Sequence, residues 1–294
     1  MPPDVADGRL ALKSIQKAFI LSVSQRQLDN SFRDALDNLC YGKTTDEDYR
    51  RFQGRFRLNV PLAEQTTFRD ALHMYPTLAA VAKHNEDRLV GMNYPIALLT
   101  AKHNCAAAAA GSKDDAQGLE PKVLLCKSAL ITLRNNLWLQ AGLVNGTKGV
   151  VQDIIYEPDK RPPDDLPAAV MVKFDGYTGP TLHGDTVPLV PVVRHWQDKN
   201  GVNCSREQIP ARLAWASTVH SAQGLDVDAA VLDIGETDFT LGLTYVAMSR
   251  CKEWSGLLLD SEFPLERLTR SCRNSNAFED RLAFEGWLVR LGRN

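Results

Sequence analysis

At 294 residues, with 44% hydrophobic and 24% charged side chains, the chain has the composition of an ordinary globular protein and room for about two domains. No apolar run of about 18 residues is present, which argues against a membrane-spanning helix, and Met1-Pro2-Pro3-Asp4-Val5-Ala6-Asp7 lacks the basic and apolar regions of a signal peptide. A formal net charge of −2 supplies no global basic field, so any contact with nucleic acid must come from a local groove.

In chain order, the first periodic segment follows Ser24-Gln25-Arg26-Gln27-Leu28-Asp29. Phe32, Ala35, Leu36 and Leu39 have helical spacing, and Gly42 ends that helix. Thr44 with Glu47 reads as a capping box that opens a second helix through Tyr49 and Phe52. Residues 61–92 read as helical, broken at Tyr75-Pro76, with Val81, Asn85 and Leu89 on one face. Ala106–Ala110 followed by Gly111-Ser112-Lys113-Asp114-Asp115 is low in complexity and predicts a mobile surface loop. Gly42-Lys43-Thr44 imitates the tail of a phosphate-binding loop, but Asp37 holds the position of that loop's first glycine and the preceding residues are helical.

From Lys122 the period shortens. Val123-Leu124-Leu125, Ala129-Leu130-Ile131, Gly149-Val150-Val151 and Ala169-Val170-Met171-Val172 are strand-like runs split by Gly, Asn and Pro, and they predict a small barrel. Asn145-Gly146 is a hairpin signal, and Arg161-Pro162-Pro163-Asp164-Asp165 reads as a turn. Then Leu213-Ala214-Trp215-Ala216 and Ala229-Ala230-Val231-Leu232 flank the polar loop Ser217-Thr218-Val219-His220-Ser221-Ala222-Gln223-Gly224, the pattern of a doubly wound sheet. Val231-Leu232-Asp233 mimics a Walker B strand, yet it follows the polar loop instead of preceding it. Tyr245-Val246-Ala247-Met248-Ser249-Arg250 sets one arginine near the end of an apolar helix. Residues 276–291 predict a terminal amphipathic helix with Phe278, Leu282, Trp287 and Leu291.

Ala216–Gly224 and Tyr245–Arg250 together resemble the last two motifs of superfamily 1 helicases, most nearly those of the Pif (petite-integration-frequency) type, relatives of RecD and of Helitron helicases. Three further stretches follow that family's order. Ser24–Asp29 is similar to its arginine–glutamine motif. Asn135-Asn136-Leu137-Trp138 with Gly142–Gly149 looks like its signature for an inserted barrel, and Val172–Tyr177 with Arg206–Pro210 come after it as expected. The resemblance implies a RecA-like second motor domain, α/β in class, over residues 1–121 and 209–294, with an SH3-like small β-barrel inserted at 122–208.

It also implies roles for particular side chains. Arg250 would be an arginine finger that stabilises the charge of phosphoryl transfer, a task suited to a planar guanidinium. Arg26 would be a second phosphate-sensing arginine, although Ser24 stands where the family more often has a bulky apolar residue. Gln27 and Gly224, with Arg250, would touch nucleotide. Thr218, His220 and Gln223 would touch the backbone of single-stranded DNA, as would Asn145 and Trp138 in the insert. The bland readings are a salt-bridged Arg250, a solvated Arg26, a structural His220, a purely structural Asn145-Gly146 turn and a buried barrel Trp138. Two departures weaken the electrostatics of strand binding: Ser221 replaces a usual lysine, and Asp226 adds a negative charge where a small hydroxyl residue is common.

Within the given sequence no G-x-x-x-x-G-K-[ST] is present. Met1-Pro2-Pro3-Asp4-Val5 resembles the tail of the family's third motif, so the expectation is the back half of an ATP-dependent, 5′-to-3′ DNA helicase. ATP and Mg²⁺ would serve the complete enzyme and no cofactor this chain alone. Expected partners are single-stranded DNA and, if separately encoded, the missing N-terminal half. The alternative is a non-catalytic remnant that binds single strands or a protein. Cys40, Cys105, Cys126, Cys204, Cys251 and Cys272 form no C-x-x-C pair, so neither a zinc site nor a disulfide framework is expected, and the compartment reads as intracellular, nuclear or mitochondrial.

Overall fold

The computed structural model describes residues 24–27, 29–235, 242–273 and 276–292, together with Ser14, Lys17 and Phe19. The Met1–Val5 motif lies outside the described residues. In chain order the main elements begin with α1 (Asn30–Cys40), α2 (Asp46–Gln53), β1 (Leu72–Tyr75), α3 (Leu78–Gly91), β2 (Ala97–Thr100), β3 (Lys102–His103) and α4 (Ala106–Ala110). A run of strands follows: β4 (Lys122–Leu125), β5 (Leu130–Leu133), β6 (Lys148–Ile155), β7 (Ala169–Phe174), β8 (Val187–Leu189), β9 (Val192–Gln197), β10 (Asn203–Gln208), β11 (Ala211–Leu213) and β12 (Ala216–Thr218). The chain closes with β13 (Ala230–Leu232), α5 (Leu243–Met248), β14 (Leu257–Leu259), α6 (Leu265–Arg273) and α7 (Asn276–Gly292). It divides into two compact units, Met1–Pro76 with Val219–Asn294, and Thr77–Thr218.

The first unit holds a parallel ladder. Leu72 pairs with Ala230 and Met74 with Leu232, and those two residues pair in turn with Leu257 and Leu259. Both faces are covered, as parallel strands require. Leu72, Met74, Leu232 and Leu259 face a core with Phe32, Phe52 and Met248, while Val231 and Leu258 face Val60 and Phe68. The helical reading of 61–92 fails at β1. There Leu72 and Met74 are buried alternately with half-exposed neighbours, a period of two within four residues. The rest of that stretch is helical at Leu62–Gln65 and in α3. α1 starts at Asp29, whose Oδ1 accepts from the Ser31 and Phe32 backbone N–H groups at 2.8 and 3.3 Å. The capping box of α2 lies one residue later than expected: Thr45 and Asp48 bond reciprocally, with Thr45 N to Asp48 Oδ2 at 3.0 Å and Asp48 N to Thr45 Oγ1 at 3.1 Å. Thr44 is buried instead of capping. Helix α7 forms; of the apolar residues expected along it, Trp287 and Leu291 are half-buried and Leu282 is 42% exposed, while the Phe278 side chain lies outside the described ones.

The second unit is dominated by an antiparallel sheet of order β11-β5-β6-β7-β8. Its Ile131, Leu133, Val151, Val170 and Val172 are fully buried, and Gly149 lies so close to Val172 and Phe174 that a β-carbon there would clash at 2.6 and 2.7 Å. The sheet order is open and no closed barrel is detected. A second sheet, β3-β10-β9, carries Arg206, which is fully buried. Its guanidinium donates to the carbonyls of Ala108, Gly111 and Leu119 at 3.2, 2.7 and 2.8 Å, and its Nε to His103 Nε2 at 3.0 Å. This overturns the mobile-loop reading of Ala106–Asp115. The alanines form the short helix α4 with Ala108 buried, and one arginine satisfies the carbonyls that such a turn leaves unpaired. In α3, Asn85 is buried and pairs its amide with the Ala216 backbone at 3.0 and 3.4 Å.

Candidate functional site

The Ala216–Gly224 loop is organised by alternate burial. Val219 and Ala222 are buried at 2% and 0%, while His220, Gln223 and Gly224 are exposed. Ala222 N bonds to Val219 O, and Gln223 N to His220 O, both at 3.2 Å, so the loop is one tight turn with its imidazole and amide facing solvent. Thr218, at the end of β12, is 9% exposed. Gly224 has φ +89°, a left-handed conformation that residues with a β-carbon adopt only under strain. The chain then runs into Leu225, whose carbonyl accepts from Arg250 Nη1 at 3.3 Å.

Arg250 follows α5 and is only 8% exposed. Its Nε donates to Val246 O at 2.9 Å and its Nη2 to Ser249 Oγ at 2.9 Å. Burial lowers its pKa, and the nearby positive charge of Arg26 lowers it further against the opposing effect of Asp226. Arg26 Nη1 donates to Ser249 O at 3.2 Å, while its Nε forms an ion pair with Asp226 that lacks directed hydrogen-bond geometry. Gln27 is buried, and its Nε2 donates to Ser249 O and Cys251 O at 3.1 and 3.2 Å. Its Oε1 accepts from Ser24 Oγ at 3.0 Å. The departure at Ser24 therefore has a use: its hydroxyl fixes which way the Gln27 amide points. Arg26, Gln27 and Arg250 thus meet, as the motif order implied, and the Gln27 amide is engaged by the backbone on both sides of Arg250.

The negative charge that Asp226 adds is paired with Arg26. Trp138 is 45% exposed, so the buried-tryptophan reading is wrong. Asn145 is also exposed, and its N–H donates to Asn136 Oδ1 at 2.8 Å. The Asn145-Gly146 turn is present, with Gly146 at φ +98°, but it closes a longer connection between β5 and β6, not a two-residue hairpin. Sequence reasoning missed the part played by Ser249, whose carbonyl receives both Arg26 and Gln27. A backbone acceptor leaves no signal in residue type.

No family model matches the chain. Among curated proteins it is similar to the human ATP-dependent DNA helicase PIF1, with 30% identity over 233 residues, 79% of this chain and 33% of that protein. It is similar to the Bdellovibrio bacteriovorus ATP-dependent DNA helicase Pif1 as well, with 27% identity over 82% of this chain and 49% of that protein. The chain thus spans between a third and a half of these relatives. In fold it matches Bacteroides Pif1 helicase in complex with ADP-AlF3 and ssDNA, with TM-score 0.69 and 18% identity over 97% of this chain and 63% of that one. The Candida albicans Pif1 helicase matches with TM-score 0.67 and 24% identity over 89% of this chain and 60% of that one.

Proposed function

Because the chain belongs to the Pif1-type helicases, we propose that it supplies the second motor domain of an ATP-dependent DNA helicase of 5′-to-3′ polarity. The observation that carries this reading is that Arg26 and Gln27 reach Ser249, beside Arg250, across 223 and 222 residues of sequence. Such long-range convergence on the backbone carbonyl that precedes Arg250 suits a cleft that receives a nucleotide held by another domain. In this reading Arg250 and Arg26 meet the γ-phosphate, Gln27 and Gly224 shape the same edge, and Thr218, His220, Gln223, Asn145 and Trp138 contact single-stranded DNA. ATP with Mg²⁺ would supply the phosphoryl group, and this chain's contribution is two planar cations, one of them desolvated. The parallel ladder supports a RecA-like domain within the expected 1–121 and 209–294, although residues 77–121 and 209–218 fall in the compact unit Thr77–Thr218. The antiparallel sheet supports an SH3-like insert at 122–208, with β11 just beyond that boundary. DNA repair, recombination or telomere maintenance, in the nucleus or mitochondrion, is the corresponding setting.

The Arg26–Asp226 ion pair favours a second reading, a non-catalytic single-strand binder in which Arg26 is not offered to phosphate. ATPase assays separate the two. The chain alone is expected to release no phosphate above background with or without DNA. Fused to a P-loop-bearing first motor domain of a Pif1-type relative, it is expected to restore DNA-stimulated turnover, with Arg250→Ala lowering the rate by about 10³-fold or more. Turnover by the unfused chain that Arg250→Ala abolishes would overturn the proposal. An active fusion indifferent to Arg250→Ala would overturn the finger assignment.

A further inference from the structure

The pairing of β3 with β10 sets Arg206 opposite His103 and Glu207 opposite Lys102. The register continues past the strand end, because Asn104 N donates to Ser205 O at 3.4 Å and Asn104 Oδ1 accepts from Ser205 N at 2.7 Å. One step further, Cys105 stands opposite Cys204, and Cys105 keeps an extended backbone at φ −157° and ψ 167°. Asn104 and Ser205 occupy a hydrogen-bonded position, so the cysteines fall at a non-hydrogen-bonded one, where opposed Cα atoms are about 4.5 Å apart. Disulfides bridge Cα atoms about 4.4–6.8 Å apart.

Each cysteine lies two residues from one member of the Arg206–His103 pair, so all four side chains share one face. The thiols meet there: burial raises the pKa of Cys204, and its hydrogen bond with Cys105 raises it further. Both are free, Cys204 buried and Cys105 half-buried. An open pocket lined by Asn104, His195, Trp196 and Cys204 gives small solutes access to the pair. Cys105 also precedes α4, and its carbonyl accepts from Ala109 N at 3.2 Å. A bond between the two sulfurs would fasten the start of α4 to β10, two residues from the arginine that binds the Ala108 and Gly111 carbonyls at its other end. The cysteines lie far apart in sequence, which is why no C-x-x-C pair marks them.

We propose that Cys105 and Cys204 are a redox modification site that closes to a disulfide by exchange with a low-molecular-weight disulfide such as oxidised glutathione. The half-buried Cys105 reacts first. Its thiolate attacks one sulfur of the glutathione disulfide, that S–S bond breaks, and one glutathione thiolate leaves and takes up a proton. Cys204, as thiolate, then attacks the Cys105 sulfur of the mixed disulfide and expels the second glutathione thiolate, which takes up the second proton. The two protein thiols lose two electrons, and the glutathione disulfide gains them. Neither cysteine belongs to the proposed motor site.

The test is a peptide map of the full chain, reduced, freed of reductant and incubated in its folded state with oxidised glutathione. Remaining thiols are then blocked and the protein is cut with trypsin. The expected product is residues 103–113 joined to residues 200–206, the peptides that carry Cys105 and Cys204. Closing so long a loop restricts the unfolded chain, so the oxidised protein should melt at a higher temperature than the reduced one. In Cys204→Ser, Cys105 should stop at the glutathione adduct, and Cys105→Ser should lose both the linked peptide and the melting shift. Thermal melting checks that each variant is folded, and the map of the unsubstituted chain decides the matter if a variant is not. Recovery of both cysteines blocked from the folded, unsubstituted chain would overturn the inference. So would a Cys105 that persists there as the glutathione adduct or joins a different cysteine.

Discussion

At the scale of single residues, the site is held by buried directional bonds more than by its visible ion pair. Gln27 donates to two carbonyls and accepts one hydroxyl, all at 3.0–3.2 Å. Truncation to alanine leaves buried acceptors unmatched, which costs about 1–3 kcal/mol. The Arg26–Asp226 pair joins side chains 29% and 55% exposed, and pairs so solvated contribute about 0–1 kcal/mol. We therefore expect Gln27→Ala to lower unfolding stability more than Asp226→Asn in urea titrations. The reverse order would mean that the ion pair, not the glutamine, is the stronger tie at this site.

At the scale of elements, α4 and the segment after it depend on one buried arginine, and that arginine depends on an unprotonated histidine. Burial pushes the His103 pKa below 6.5, and the Arg206 charge pushes it further in the same direction. The folded pKa is therefore below the unfolded one, so the stabilisation is complete above pH 6.5 and is lost as pH falls through the lowered folded value. Limited proteolysis at pH 7.5 should first cut the exposed Arg161–Asp165 turn. Towards pH 5, cuts should appear within 106–119, and His103→Gln, which keeps an acceptor but does not titrate, should abolish that pH response. First cleavage within 106–119 at pH 7.5 would contradict the Arg206 clamp.

At the scale of the whole molecule, a net charge of −2 means that strand binding rests on where cations stand, not on their number. Ser221 lies exposed in the His220–Gln223 turn, where one added cation is least burdened by desolvation. Ser221→Lys should raise affinity for oligo-dT and steepen the salt slope by about 0.7. If the parent binds and this variant binds no better, the strand does not pass this turn.

The sequence by itself determined the family, the order of motifs, α1, the parallel strand β13 and the placement of Arg250 after an apolar helix. These are local patterns of period or residue type, readable without knowing what folds against them. It misread β1 as helix because four residues are too few to outweigh a long helical context, and it misread Ala106–Asp115 because the clamp comes from Arg206, about 95 positions away. Only the tertiary structure decided that Asp226 is matched, that Trp138 is exposed and that Arg26 and Gln27 share the Ser249 carbonyl. Each of those is a fact about which distant groups meet, and pairing in space leaves little trace in the spacing of residues along a chain.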